Sequence, residues 1–224
     1  MKLSAALFAA SMLAATACST RDRAPGRPPA NSPFSLLYAK NCAGCHGLDG
    51  KGGAALGLAD PVYLAIADDA TIRRITATGV PGTAMPAFAQ QSGGMLTDEQ
   101  INDIVRGIRA GWASPNALAV ANPPPYAAQA SGDPKRGEAA YAVYCSSCHG
   151  ASGRGGGRAG AIVDRSYLAL ISDQGLRTHV IVGRPDLGAP DWRGDVPGKP
   201  MSPEDISDVV AWLAAQRQLK GGSQ

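Results

Sequence analysis

Tyr38-Ala39-Lys40-Asn41-Cys42-Ala43-Gly44-Cys45-His46-Gly47 returns 103 residues later as Tyr141-Ala142-Val143-Tyr144-Cys145-Ser146-Ser147-Cys148-His149-Gly150. The match continues outward from this stretch. Gly50, Gly52 and Gly53 align with Gly153, Gly155 and Gly156. After a one-residue insertion, Tyr63-Leu64-Ala65 aligns with Tyr167-Leu168-Ala169, and Gly79, Pro81 and Pro86 with Gly183, Pro185 and Pro190. A second insertion brings Thr97 and Ile101 onto Ser202 and Ile206. Self-similarity over most of each half means two copies of one domain.

The 224-residue chain then divides into five parts. Residues 1–17 read as a signal peptide, with Lys2 as the charged start and an apolar stretch too short to span a bilayer. Residues 18–32 form a Pro-rich tether, 33–112 the first domain, 113–133 a linker with Pro115 and Pro123-Pro124-Pro125, and 134–220 the second domain. Three successive prolines forbid a helix and favour a stiff connection. Within each copy the pattern predicts helices and no alternating strand. Short helices over 33–43 and 134–144 lead into the cysteines, middle helices cover 69–78 and 173–182, and a last helix starts after Thr97 or Ser202. Thr97 with Gln100 makes a capping box, and Ser202-Pro203 puts proline at the first helical position. Ile104, Val105 and Ile108 then share one face, as do Val209, Val210 and Leu213. With 28 glycines, 17 prolines and only 5% aromatic residues, domains of this size need something besides side chains to fill their cores.

Cys42-x-x-Cys45-His46 and Cys145-x-x-Cys148-His149 are CxxCH motifs. Two thiols at this spacing add to the vinyl groups of haem, and the next histidine reaches the iron as proximal ligand. A single CxxC is also compatible with a zinc half-site or a redox dithiol, and two pairs with a four-cysteine zinc site. The histidine in both copies, the intact repeat and the export signal favour haem. In Gly79-Val80-Pro81-Gly82-Thr83-Ala84-Met85-Pro86, a loop ahead of the last helix brings the Met85 thioether over the open iron face. Met95 is its competitor, beside the capping box. Methionine opposite histidine favours reduced iron and raises the potential.

These motifs resemble the class I cytochromes c, over nearly everything from Pro33 to Leu219. The resemblance implies an all-α fold of two tandem domains, each wrapped round one of two covalently bound haem c groups, and one-electron transfer as the activity. It implies Cys42, Cys45, His46 and Met85 as the attachment and axial residues of the first haem, and Cys145, Cys148 and His149 as those of the second. The second copy departs from the pattern, since Met85 falls on Ala189 in Gly183-Arg184-Pro185-Asp186-Leu187-Gly188-Ala189-Pro190. A methyl group cannot bind iron. Met201, just before the last helix, and His179, on the middle helix, are the two replacements, with an open or water-bound iron as the third possibility. Met201 also occupies the place of Leu96 and could be a packing residue.

Ala15-Thr16-Ala17-Cys18 resembles a bacterial lipobox, so Cys18 is the expected lipid-attachment residue. Ordinary signal-peptidase cleavage after Ala-x-Ala is the other reading. Either places the chain on the periplasmic side, anchored in the first case. The net charge of +3 offers no basic stripe and no case for nucleic acid. The glycine runs at 50–53 and 153–157 lack a phosphate-loop pattern and let backbone pass close to a haem edge, where Lys51 and Arg154 could offset propionate charge. Trp112, Trp192 and Trp212 read as pocket or helix packing. The expected function is a dihaem carrier of single electrons between respiratory partners, such as a quinol-oxidising complex and a terminal oxidase. Its rivals are a dihaem oxidoreductase with an open second iron and a haem subunit of a larger respiratory complex.

Overall fold

A computed structural model describes residues 31–114, 122–194 and 196–217. The signal peptide, Cys18, most of the tether and part of the linker therefore lie outside the described residues. The first half consists of α1 (Pro33–Asn41), α2 (Ala43–His46), α3 (Pro61–Ile66), α4 (Asp69–Thr78) and α5 (Asp98–Trp112). The second repeats it as α6 (Pro134–Tyr144), α7 (Ser146–His149), α8 (Arg165–Ala169), α9 (Asp173–Val182) and α10 (Pro203–Gln216). Among the described residues the only β pairing is two isolated bridges, Ala89 with Leu96 and Arg184 with Ala189. The fold is all-α.

Local chemistry sets the boundaries. Ser32, Asp60, Asp68 and Asp133 each accept hydrogen bonds from the first turn of the helix that follows. Thr97 and Gln100 form the expected box, and Ser202 forms a second one with Asp205. The first helix ends at Asn41, earlier than the sequence predicts. Cys42 breaks it (φ −119°, ψ −37°), and the chain restarts as the short α2 through His46. The helices α3 and α8 were not foreseen. Their signal is an aspartate cap, Asp60 or Asp164, ahead of only five or six helical residues.

In each half the first helix crosses the last, and the middle helix packs beside it. The two crossings are solved in opposite ways. In the first half Phe34 on α1 lies against Gly107 on α5, where a Cβ would meet the ring at 2.0 Å. In the second, the glycine is Gly137 on α6, whose Cβ would meet the Asp208 carbonyl oxygen at 2.0 Å and the Trp212 Cβ at 2.8 Å on α10. Gly137 occupies the repeat position of Phe34, and Trp212 that of Gly107. Large and small have changed sides while the helices keep their close approach. Trp112 packs edge-on against Phe34 and Tyr38, and Trp212 stacks on Tyr141 with centroids 4.4 Å apart. The tryptophans at 112 and 212 are thus helix packing.

Two arginine clasps also repeat. Arg109 on α5 reaches the Leu64 and Ala67 carbonyls and the Asp69 carboxylate; Arg217 at the end of α10 reaches Leu168, Ile171 and Asp173. Each joins the last helix to the turn between the short and middle helices. The second half adds a fork from Arg136 on α6 to buried Asp208 on α10, at 2.7 and 2.9 Å.

The halves meet along a seam. There α3 packs on α9, the Ala84 N–H donates to the Leu170 carbonyl at 3.4 Å, and Arg184 donates to the Gly53 and Ala54 carbonyls at 2.9 and 3.4 Å.

Gly137→Ala should destabilise the second half by about 1–3 kcal/mol, because the overpacking cost outweighs the roughly 1 kcal/mol that alanine gains in a helix. Thermal unfolding monitored at Trp212 would show it. The Arg136 hydrogen bonds, chiefly, hold the Asp208 carboxyl below the usual carboxylate range. Its contribution is therefore complete above the unfolded value of about 3.9 and lost as pH falls through the depressed folded value. Asp208→Asn should flatten that acid limb of a pH–stability curve.

Candidate functional site

The two CxxCH segments adopt one geometry. Cys42 and Cys145 sit at the break after the first helix, and the remaining residues form a single helical turn ending at the histidine. The chain then leaves through Gly47 (φ +81°) and Gly150 (φ +77°). A Cβ at Gly47 would lie 1.7 Å from the Lys51 carbonyl oxygen, so only glycine fits there. Tyr38 and Tyr141, one helical turn before the first cysteine, donate their hydroxyls to the Gly47 and Gly150 carbonyls at 3.0 and 2.5 Å. The sequence marked these tyrosines as repeat positions without revealing that role.

Each proximal histidine is fixed by its Nδ1. His46 bonds the Leu56 carbonyl and His149 the Gly160 carbonyl, both at 2.7 Å. A carbonyl can only accept, so Nδ1 carries the proton and Nε2 keeps its lone pair for a metal. Burial moves the His46 imidazole further towards the neutral, ligating form, against the opposing effect of the Leu56 bond.

The four described cysteines, Cys42, Cys45, Cys145 and Cys148, form no disulfide. Burial pushes the Cys42 thiol up to about 12 and the Cys145 thiol up to about 11, with the second cysteine of each pair adding to the shift. A redox dithiol needs the opposite shift. Among the described residues no group of three or more His, Cys, Asp or Glu is placed to hold a metal ion by itself. Two thiols on one helical turn, the first part-buried and the second more open to solvent at Cys45, a histidine with a free Nε2 and a core otherwise poor in aromatics fit haem c at both positions.

The distal loops superimpose by their hydrogen bonds. Val80 N–H donates to the Met85 carbonyl and Arg184 N–H to the Ala189 carbonyl, both at 3.0 Å. Gly79 (φ +64°) and Gly183 (φ +70°) open them in the same conformation, each so close to the returning Pro86 or Pro190 backbone that a side chain is excluded. Ala189 therefore stands where Met85 stands, as the alignment predicts. Met85 is half-buried on its loop, whereas Met95 is largely exposed. Met201 is buried and its N–H donates to the Trp192 carbonyl at 2.8 Å. Leu96 is buried in the same way, with its N–H on the Phe88 carbonyl at 2.7 Å. The two occupy one packing position ahead of the last helix.

His179, on α9, donates from Nδ1 to the Gly175 carbonyl at 2.9 Å, which again leaves Nε2 free. All three histidines of the chain thus present the same nitrogen. Burial, chiefly, lowers the His179 pKa against the opposing effect of the Gly175 bond, and the Arg184 guanidinium on the same half adds to the lowering. Lys51 lines a cavity of about 470 Å³ at that seam, together with Asp60, Arg184, Asp186, Asp191 and Arg193.

The profile of the family described as cytochrome C oxidase, cbb3-type, subunit III matches residues 32–106 and 132–213. The Cbb3-type cytochrome c oxidase subunit FixP of Azorhizobium caulinodans is 44% identical over 68 residues, 29% of this chain and 23% of that protein. The chain thus spans about a quarter of this curated relative. Among solved structures, the KustC0563 c-type cytochrome is 28% identical with a TM-score of 0.32, over 36% of this chain and 98% of that one. The Kuenenia stuttgartiensis reducing HAO-like protein complex Kustc0457/Kustc0458 is 18% identical with a TM-score of 0.47, over 84% and 96%.

Because the thiolate is the nucleophile, iodoacetamide should leave Cys42 and Cys145 of the apoprotein unlabelled at neutral pH. Labelling followed by peptide mass spectrometry should rise at both positions only as the pH approaches about 11 to about 12.

Proposed function

The chain belongs to the cbb3-type cytochrome c oxidase subunit III family, and from that premise we propose that it is a dihaem c-type cytochrome feeding single electrons to a terminal oxidase of that type. The observation that carries the proposal is the duplication of one attachment site at matching geometry. It comprises two thiols on a helical turn, a histidine locked by a carbonyl and a glycine exit, at 42–47 and again at 145–150. Covalently bound haem supplies one-electron redox chemistry and so needs no catalytic acid or base from the protein. The chain's own residues set attachment, ligation and exposure. Cys42, Cys45 and His46 would hold the first haem, and Met85 would supply its second protein ligand. Cys145, Cys148 and His149 would hold the second.

For the second distal position we assign His179 over Met201. Met201 is committed to the packing place that Leu96 fills. His179 is on the helix leading directly into the Gly183–Pro190 loop and already has the tautomer that a metal ligand needs. A bis-histidine site lacks the thioether's bias towards reduced iron and should titrate at the lower potential. Electrons would then rest preferentially on the first half. The relative's name points to assembly with a cbb3-type oxidase. Cys18 would hold the chain to the membrane through lipid, with residues 19–32 as tether and the two domains on the periplasmic side. A quinol-oxidising complex is the matching electron source.

The mature protein should carry two haems resistant to acid–acetone extraction, and replacing Cys145 and Cys148 by alanine should leave one. Loss of both, or retention of two, would refute the reading. His179→Ala should open the second iron to carbon monoxide, while Met201→Ala should reduce stability without opening it. If wild-type protein already binds carbon monoxide at the second haem, the position left by Ala189 is open and the oxidoreductase reading gains instead. Cys18→Ser should release the protein from membranes during fractionation.

A further inference from the structure

Position 73 of the first half and position 177 of the second are equivalent in the repeat, and both are arginine. In the first half Arg73 stays within its own domain. Its Nε donates to Asn102 and its Nη2 to Asp98, both at 2.9 Å on α5. In the second half the residue equivalent to Asn102 is Ser207, which accepts from Arg177 Nη1 at 3.2 Å. The residue equivalent to Asp98 is Pro203, which can accept nothing from its side chain. Arg177 has turned its remaining donors onto the linker. Nε reaches the Pro125 and Tyr126 carbonyls at 3.2 and 3.1 Å, and Nη2 reaches Pro125 at 3.0 Å. Gln174, one turn earlier on α9, adds a bond to the Tyr126 carbonyl at 2.8 Å.

The grip is unusual in its burial. Arg177 is only 2% exposed, and the partners described for it are all neutral. A buried guanidinium is costly unless several dipoles satisfy it, so the linker carbonyls are structural partners of α9. They place Tyr126 at the seam. Its ring is half-buried against the core, within electrostatic reach of Tyr63 and Arg74 of the first half and beside Thr178 of the second.

We propose that Arg177 is the positioning residue that fixes one haem domain against the other, by clamping the linker at Pro125–Tyr126 so that Tyr126 is held between them. This rests on the reading of one haem in each half. Loss of the acid equivalent to Asp98 freed an arginine that the repeat uses inside a domain, and the second copy uses it between domains. Electron exchange between the haems is sensitive to their separation, so the clamp serves that exchange without touching either iron site.

The test uses the mature full-length protein. Arg177→Gln removes the grip. Arg177→Lys leaves a single ammonium that cannot span two carbonyls and a hydroxyl at once. Pro203→Asp keeps Arg177 but restores the acid of the first half, drawing the guanidinium back to α10. All three should raise the rate of chymotryptic cleavage after Tyr126 by about tenfold, as expected for loss of one or two charge-assisted hydrogen bonds from a locally opening segment. They should also slow haem-to-haem equilibration after pulsed reduction, with both visible spectra and the potential of the first haem unchanged. Unchanged cleavage and unchanged exchange in Pro203→Asp would overturn the clamp, and that variant escapes the objection that removing a buried arginine unfolds the domain. A wild-type haem count of one would overturn the dihaem reading instead, while the cleavage rates would still decide the clamp.

Discussion

The hydrogen bond from the His46 imidazole to the Leu56 carbonyl, with its copy from His149 to Gly160, is the constraint round which each half is arranged. For Nδ1 to find that carbonyl, the chain must reverse direction within about ten residues of the histidine. The reversal is made through glycines at positive φ, where any side chain would strike backbone. The tyrosine hydroxyls bonded to Gly47 and Gly150 tie the same exit to the first helix. The last helix in turn holds the first at the glycine crossing. Imidazole orientation is thus transmitted from the crossing of the terminal helices, through one tyrosine and one glycine, to a single nitrogen.

The repeat shows which parts of this arrangement are fixed by physics and which are free. What recurs is dipole and backbone geometry: the carbonyl behind the histidine, the positive-φ exits, and the arginine that joins the last helix to the turn before the middle one. What changes is how volume is distributed. Phe34 against Gly107 becomes Gly137 against Trp212, which preserves the close approach while moving the bulky ring to the other helix. The arginine clasp moves from Arg109 to Arg217, one helical turn further along than the repeat alone would place it, yet it reaches the equivalent carbonyls and the equivalent aspartate. A planar fork on a long stem tolerates such a shift in a way that a short capping side chain does not.

The all-α class, the middle and last helices, and the paired cysteine–histidine sites were legible because each leaves a local mark: a cap, a period or a fixed spacing. The caps before α5 and α10 and the equivalence of Ala189 with Met85 were readable to the residue. The short helices α3 and α8 were not, since five or six residues carry too little periodicity to stand out from a Pro- and Gly-rich background. The break at Cys42 was hidden because helical propensity continues through it; tertiary geometry ends the helix there. Choosing between Met201 and His179 was also beyond the sequence. Both are adequate ligands by type, and what bears on the choice is the burial of Met201 in the packing place of Leu96 and the bond that His179 makes through its own Nδ1.

The contacts between the halves were the least legible feature, and the reason is general. Arg177 and Arg184 are charged residues on or beside a helix, and such residues usually face solvent. Only their acceptors mark them as structural, and those acceptors are backbone carbonyls at 53–54 and 125–126, distant in sequence and without side-chain identity. A duplicated domain needs only small changes to acquire such contacts. Val80 becomes Arg184 and Asp98 becomes Pro203, and each change leaves one guanidinium to find partners outside its own domain. Across the seam those partners are carbonyl dipoles, while the carboxylate that pairs with Arg184, Asp186, belongs to its own half. Around His179 it is burial, first, and the Arg184 guanidinium beside it that lower the imidazole pKa. Burial at that helix therefore favours the neutral imidazole, the form in which its free Nε2 can act as a ligand.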